Sequence, residues 1–114
     1  MSQDEIRSIE LWIGHPLPES YKAFLDSSLS SASKVRGFCY SAADVIERNQ
    51  TFESRAYCPG FIAIGDDGGG RAFVIPLEGR DPPVFVVPHG SMSPDDMQHE
   101  SSTLSRWLEG SAFR

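Results

Sequence analysis

Long apolar runs and an apolar leader are both missing from this sequence. The longest apolar runs, residues 61–64 and 84–87, have four residues each, whereas a membrane-spanning helix needs about 20. The residues after Met1 are polar and acidic, whereas a secretory signal begins with basic residues and continues into an apolar stretch. We therefore expect a cytoplasmic protein that has no membrane partner.

Cysteine is scarce, and basic residues are outnumbered by acidic ones. The two cysteines, Cys39 and Cys58, form neither a disulfide framework nor a metal-ligand pair, and they are typical of small buried residues in a reducing compartment. The formal net charge is −6 and the pI is about 4.9. Such a surface repels nucleic-acid phosphates and anionic lipids but attracts basic proteins. The alternative is that the acidity serves solubility alone.

Motifs for catalysis or ligand binding are missing as well. The three histidines, His15, His89 and His99, have no zinc-site spacing. The glycine-rich run 66–70 lacks the closing Lys-Ser/Thr of a phosphate loop and the closing Glu of a calcium loop. We therefore expect no enzyme activity, no cofactor and no metal. Because catalytic triads leave no local signature, a minor enzyme or a small-molecule-binding protein stays an alternative.

The composition that is present indicates one globular domain, residues 1–114, with many turns. Hydrophobic residues make up 39% of the chain, and there are 10 glycines and 8 prolines. Apolar residues recur at three- and four-residue steps in four segments, which is the pattern of helices with one buried face. The predicted helices are 4–12, 18–28, 42–52 and 102–109. Asn49 falls on the inner face of the third helix, beside Val45.

After Cys58-Pro59-Gly60 the apolar pattern changes to that of strands. Residues 61–65, 71–77 and 84–88 are apolar, partly β-branched runs joined by short glycine- and proline-containing turns, which favours antiparallel hairpins. Residues 35–40 predict a further short strand. The predicted fold class is therefore α+β, an antiparallel sheet with helices packed mainly on one face. The predicted core consists of large apolar residues on the inner faces: Trp12, Tyr21, Phe24, Leu25, Ile46, Phe61, Ile64, Phe73, Ile75, Val86, Trp107 and Leu108.

The order of the strands also predicts an acidic end of the sheet. In a three-stranded meander, the first turn and the exit from the third strand lie at the same end. The carboxylates and the histidine expected there form the predicted partner-binding site: Asp66, Asp67, His89, Asp95, Asp96 and Glu100. The second turn, with Glu78 and Asp81, is expected at the opposite end. The alternative is that all of these are ordinary solvated charges.

Three stretches of the chain resemble motifs of one family. Residues 17–25 read LPESYKAFL, residues 59–70 read PGFIAIGDDGGG, and an extended VFVVPH at 84–89 precedes a last helix with Trp107-Leu108-Glu109. These resemble, in the same order, the LP-x-x-Y-K-x-F-L opening, the G-x-x-x-I-G-x-D-G-G-G strand and turn, and the C-terminal part of the SUKH superfamily. The resemblance extends from about Ile6 to Gly110.

The resemblance implies a SUKH-like α+β domain without catalytic residues. Many bacterial members of the superfamily are immunity proteins, each of which blocks a cognate toxin domain, and others are regulatory interaction modules such as yeast regulators of cell-wall synthesis. We therefore expect a protein partner, most simply a toxin domain. A nuclease toxin would suit the acidic surface, because such enzymes have basic substrate clefts. A regulatory module of the same fold is the alternative.

Overall fold

The computed structural model of the chain describes residues 2–26, 40, 42–52, 54–66 and 68–108. Its helices are α1 (Ser2–Ile13), α2 (Glu19–Asp26), α3 (Ala42–Phe52), α4 (Ser54–Tyr57) and α5 (Leu104–Leu108). Its strands are β1 (Phe61–Asp66), β2 (Arg71–Pro76), β3 (Val84–Pro88) and β4 (Gln98–Ser101), and a 3₁₀ helix spans Pro94–Asp96. No helix among the described residues is long and apolar enough to cross a bilayer.

The four strands form one antiparallel sheet in the order β1-β2-β3-β4. The three predicted strands are confirmed, and the sheet gains β4, which the sequence did not predict. The predicted α+β fold is confirmed as well. The predicted strand at 35–40 lies outside the described residues except for Tyr40, and so does the predicted end of the second helix at residue 28.

Local sequence explains where the first two helices begin and end. Asp4 and Glu5 lie in the first turn of α1, where negative charge interacts favourably with the helix dipole. Gly14 ends the helix with a φ of 78°, a left-handed conformation that glycine adopts without steric cost. Its N–H donates to the Glu10 carbonyl at 2.8 Å. Pro18 then precedes α2, and its carbonyl accepts the Lys22 N–H at 2.9 Å.

The main core lies between one face of the sheet and helices α1, α2, α3 and α5. Its residues, drawn from these helices, from the sheet and from the segments that join them, are Ile6, Ile9, Leu17, Tyr21, Phe24, Leu25, Val45, Ile62, Ile64, Phe73, Ile75, Leu77, Val84, Val86, Leu104 and Trp107. Of the predicted core, Trp12, Ile46 and Phe61 are only half-buried. The side chain of Leu108 lies outside the described part of the structure. The remaining predicted core residues are buried as expected.

The opposite face of the sheet carries a smaller apolar cluster: Cys58, Ala63, Ala72, Val74, Val87 and Met92. Phe61 and Phe85, from the strands on either side of β2, meet edge to face with their ring centroids 6.2 Å apart. Phe61 is half-buried because its ring belongs to this second face.

Candidate functional site: an acidic edge of the sheet

The structure joins the first turn of the meander to the exit from β3. The His89 N–H donates to the Gly70 carbonyl at 2.8 Å, and Asp66 is the last residue of β1. The predicted placement of Asp66 and His89 at one end of the sheet is therefore confirmed. Asp67 lies outside the described residues. Arg71, opposite Pro88 in the sheet, adds a positive charge to this end.

Asp66 has a structural task in this turn. Its Oδ2 accepts the Tyr40 hydroxyl at 2.9 Å, and its Oδ1 accepts the Gly68 N–H at 2.9 Å. The second bond is the side-chain-to-backbone contact of an Asx turn. Because both carboxylate oxygens accept hydrogen bonds, the main role of Asp66 is to hold Gly68 and Tyr40 in place.

The segment after β3 is fixed to the sheet by Met92. This side chain is buried in the second apolar cluster, and its backbone has a φ of 51°, which costs a non-glycine residue roughly 1–2 kcal/mol. The Met92 N–H donates to the Pro88 carbonyl at 2.9 Å. Burial of the thioether side chain offsets the backbone strain, so the turn that leads into the 3₁₀ helix has a defined geometry.

The 3₁₀ helix Pro94–Asp96 presents two carboxylates to solvent. Ser93 caps it, accepting the Asp95 N–H on its side-chain oxygen. The Ser91 hydroxyl donates to Asp96. Both aspartates are exposed, and the 3₁₀ helix packs against β3.

Glu100 does not lie at the end of the sheet that the strand order predicts for it. In β4, Gln98 is opposite Val86 whereas Ser101 is opposite Val84, so the strand leads away from the end that holds His89. Glu100 occupies an irregularity in the pairing near the Val84 end. The prediction that it neighbours Asp66 is wrong, because the chain returns along β3 instead of ending in a loop.

Glu100 nevertheless shares an edge of the sheet with the two aspartates of the 3₁₀ helix. We call residues 94–101 the acidic edge. It carries three exposed carboxylates, and the sequence has no lysine or arginine anywhere from residue 81 to residue 105. The negative charge of this edge is therefore uncompensated by nearby residues along the chain.

Two charged residues at the opposite end of the sheet, Arg80 and Asp81, contact helices. The Asp81 Oδ1 accepts the Ser105 N–H at 2.9 Å, at the start of α5. Arg80 pairs with Glu19 of α2 at 3.3 Å. Glu78 is exposed and is the carboxylate at this end best suited as a control.

The three histidines lie in separate places. The His15 Nδ1 is 2.6 Å from the Pro16 carbonyl, after α1. The His99 ring contacts Phe85 edge to face, with centroids 5.7 Å apart, and His89 is at the end of β3. Among the described residues no group of three potential ligands could hold a metal ion.

Cys58 is buried, and burial raises the pKa of its thiol to about 11. Because the thiolate is the reactive form, we expect Cys58 to react with iodoacetamide at pH 8 at least about tenfold more slowly in the native chain than in urea. A Cys39→Ser variant leaves Cys58 as the one thiol, and mass spectrometry measures the rate. Equal rates in the native and unfolded chains would contradict this prediction.

A surface groove of about 320 Å³ lies at the C-terminal end of α1. Arg7, Leu11 and Pro16 are among its lining residues, and it is formed by α1 and the loop that follows. Leu11 is 77% exposed. The groove is open and is formed by one short stretch of chain, so it differs from the enclosed pocket that a small-molecule-binding protein uses.

The model of the SMI1 / KNR4 family (SUKH-1) matches residues 1–110 of the chain. The chain belongs to this family. No curated protein is similar enough to the sequence to count as a match. Membership of the SUKH-1 family agrees with the resemblance found in the motifs at 17–25 and 59–70.

Two features of the SUKH-1 domain described here had little signal in the sequence. The strand β4, Gln98–Ser101, has no apolar residue, so its pattern does not indicate a strand. The contacts of Asp66 with Tyr40 and of Asp81 with Ser105 join residues 26 and 24 positions apart. Asn49, by contrast, was detectable as a polar residue on the buried face of α3.

Proposed function

We propose that this protein is a cytoplasmic immunity protein that binds and neutralises a cognate bacterial toxin domain, without catalysis. Membership of the SUKH-1 family carries the proposal, since the family fits an immunity or a regulatory domain. The charge favours the first of these, because a net charge of −6 suits a toxin whose cleft binds a polyanionic substrate. An acidic partner is steered rapidly onto such a cleft.

The binding surface that we propose is centred on Asp95 and Asp96. Their carboxylates are exposed, and the capped turn holds them in a defined geometry. Asp67, His89 and Glu100 belong to the same proposed surface, and Asp66 supports it from the adjoining turn. A preorganised surface loses less conformational entropy on binding than a mobile loop does.

A pull-down from the native host, with the protein as bait and mass spectrometry of the captured chains, tests the function. The expected partner is a domain of a secreted toxin whose activity stops at equimolar addition of this protein. Co-expression with that domain should restore growth of a sensitive cell. A captured metabolic or cell-wall enzyme that stays active in the complex would instead support the regulatory module.

Charge reversal at Asp95 tests the proposed surface. We expect Asp95→Lys to slow association with the captured toxin domain about threefold to tenfold at low ionic strength, because it removes steering charge. The difference should shrink at high salt, where exposed charges are screened. Stopped-flow association rates at two ionic strengths measure both effects.

Glu78→Lys is the matched control, since it makes the same change of net charge at the other end of the sheet. Among the described residues, neither side chain has a hydrogen bond that the substitution would break, unlike Asp66 and Asp81. Equal slowing by both variants would mean that the attraction is diffuse. Slowing by Glu78→Lys alone would place the interface at the opposite end.

A further inference from the structure

The two edge strands of the sheet, β1 and β4, differ in the hydrogen bonds on their outer sides. At the β1 edge, the Asn49 side chain accepts the Ala63 N–H at 2.8 Å and donates to the Ala63 carbonyl at 2.9 Å. The Tyr40 N–H donates to the carbonyl of Ile64 at 2.9 Å. Asn49 of helix α3 and Tyr40 thus close this edge with hydrogen bonds of the kind that another strand would make.

The β4 edge has no such hydrogen-bonded cover from the described residues. Within the part of the chain that the structure describes, the backbone of Gln98–Ser101 has no hydrogen bond on the side away from β3. Gln98, His99 and Glu100 are all exposed. An uncovered strand edge presents outward N–H and C=O groups, which form a template for one further strand.

From this asymmetry we infer that the acidic edge pairs with an extended basic segment of the partner protein, which adds a strand beside β4. The inference rests on the proposed function, because the occupant is a segment of the bound partner. It goes further in naming the mode of binding, which is backbone hydrogen bonding along β4 as well as attraction between charges.

The charges of the acidic edge decide which strand can pair there. A second copy of this chain would bring another set of the carboxylates Asp95, Asp96 and Glu100 to this edge with no lysine or arginine from residues 81–105 to offset them, and like charges near each other across a strand pair are destabilising. The short strand and its irregularity at Glu100 also oppose long self-pairing. A lysine- or arginine-bearing strand would instead place positive side chains against these carboxylates. The edge therefore rejects a copy of itself while it accepts a basic segment.

The ring of His99 adds a contact for the side chains of the incoming strand. It lies on the second face of the sheet, edge to face with Phe85. Phe85 is half-buried and His99 is exposed. An apolar side chain that alternates with the basic residues of the incoming strand would pack on these two rings.

The probe for this inference is a capped heptapeptide of alternating lysine and valine, titrated into ¹⁵N-labelled protein at low salt. We expect the largest amide shifts at residues 97–101 and slower amide exchange there. The same peptide with every backbone amide N-methylated keeps its charge but has no strand donors on either edge, and it should bind at least tenfold more weakly. An alternating glutamate and valine peptide should not bind.

Glu100→Lys should weaken binding of the lysine and valine peptide severalfold. Glu47→Lys is the matched control, because Glu47 is also exposed but lies on α3, which covers the opposite edge. Equal affinity of the N-methylated peptide, shifts centred away from β4, or no binding of the basic peptide would each overturn the inference. If the protein neutralises a toxin but does not bind the peptide, the proposed function stands and the inference about the β4 edge is wrong. If it binds the peptide but captures no toxin, the inference about the edge stands and the proposed function is wrong.

Discussion

Replacing Trp107 by alanine is expected to lower the free energy of unfolding by about 3–5 kcal/mol, through lost burial and the cavity left behind. Trp107 lies on α5 and its side chain is fully buried. Its ring centroid is 4.9 Å from the ring centroid of Phe73 in β2. It is therefore a main contact between the last helix and the sheet. Urea denaturation, monitored by circular dichroism, measures the change.

Trp12→Ala is the matched control for this prediction. This variant removes the same type of side chain from α1. Because Trp12 is only half-buried, its loss should lower the free energy of unfolding clearly less than the loss of Trp107. If the two variants unfold at the same urea concentration, Trp107 does not have the central position in the core that its burial indicates.

Helices α1, α2, α3 and α5 and the first three strands could be predicted from the sequence because their apolar spacing is local, whereas the four-residue helix α4 was not predicted. Ile6 and Ile9 recur along one face of α1, and the run at 61–64 is apolar throughout. These patterns reflect burial against the rest of the fold, and they change at Pro59-Gly60, where the chain turns into β1.

The strand β4 could not be predicted in this way. Its residues Gln98, His99 and Glu100 are polar and exposed, so no alternation of burial marks it. It exists because its backbone pairs with β3, and pairing between strands depends on tertiary contacts more than on local preference. The wrong prediction for Glu100 follows from this missing strand. A loop would leave Glu100 near Asp66, whereas the returning strand β4 carries it toward the Val84 end of β3.

The composition of the acidic surface was only partly predictable. Strand order alone places Asp66 and His89 together, and the structure has them there. Strand order does not say which carboxylates accept hydrogen bonds from distant parts of the chain. Asp66 and Asp81 do so, whereas the exposed carboxylates of Asp95, Asp96 and Glu100 have no hydrogen bond from a distant part of the described chain.

The closed β1 edge and the open β4 edge together suggest how one small domain can bind a strand without aggregating. Closure by Asn49 leaves β4 as the sheet edge open to pairing among the described residues. If the acidic edge binds a strand, as we propose, its carboxylates favour a basic segment over a copy of the same chain. Loss of the closure at β1 would expose a second edge, one whose residues Ile62 and Ile64 are apolar.

Asn49→Ala should therefore be strongly destabilising, although it deletes only one polar side chain. The Asn49 amide is fully buried and forms two hydrogen bonds with Ala63 and a third with the Val45 carbonyl at 2.8 Å. Its removal leaves the Ala63 N–H and C=O without these partners, at about 1–3 kcal/mol for each orphaned group. Urea denaturation gives the total, and hydrogen exchange of the Ala63 amide, expected to accelerate at least tenfold, locates the effect.

Gln50→Ala is the control for this last prediction, because Gln50 is the next residue of α3 and is exposed. Its substitution should change the free energy of unfolding by no more than about 0.5 kcal/mol. The Asn49→Ala protein should also form larger species on size-exclusion chromatography at high concentration, since an uncovered edge strand pairs with other chains. An Asn49→Ala protein as stable as Gln50→Ala, with unchanged exchange at Ala63, would mean that the amide does not hold the β1 edge closed.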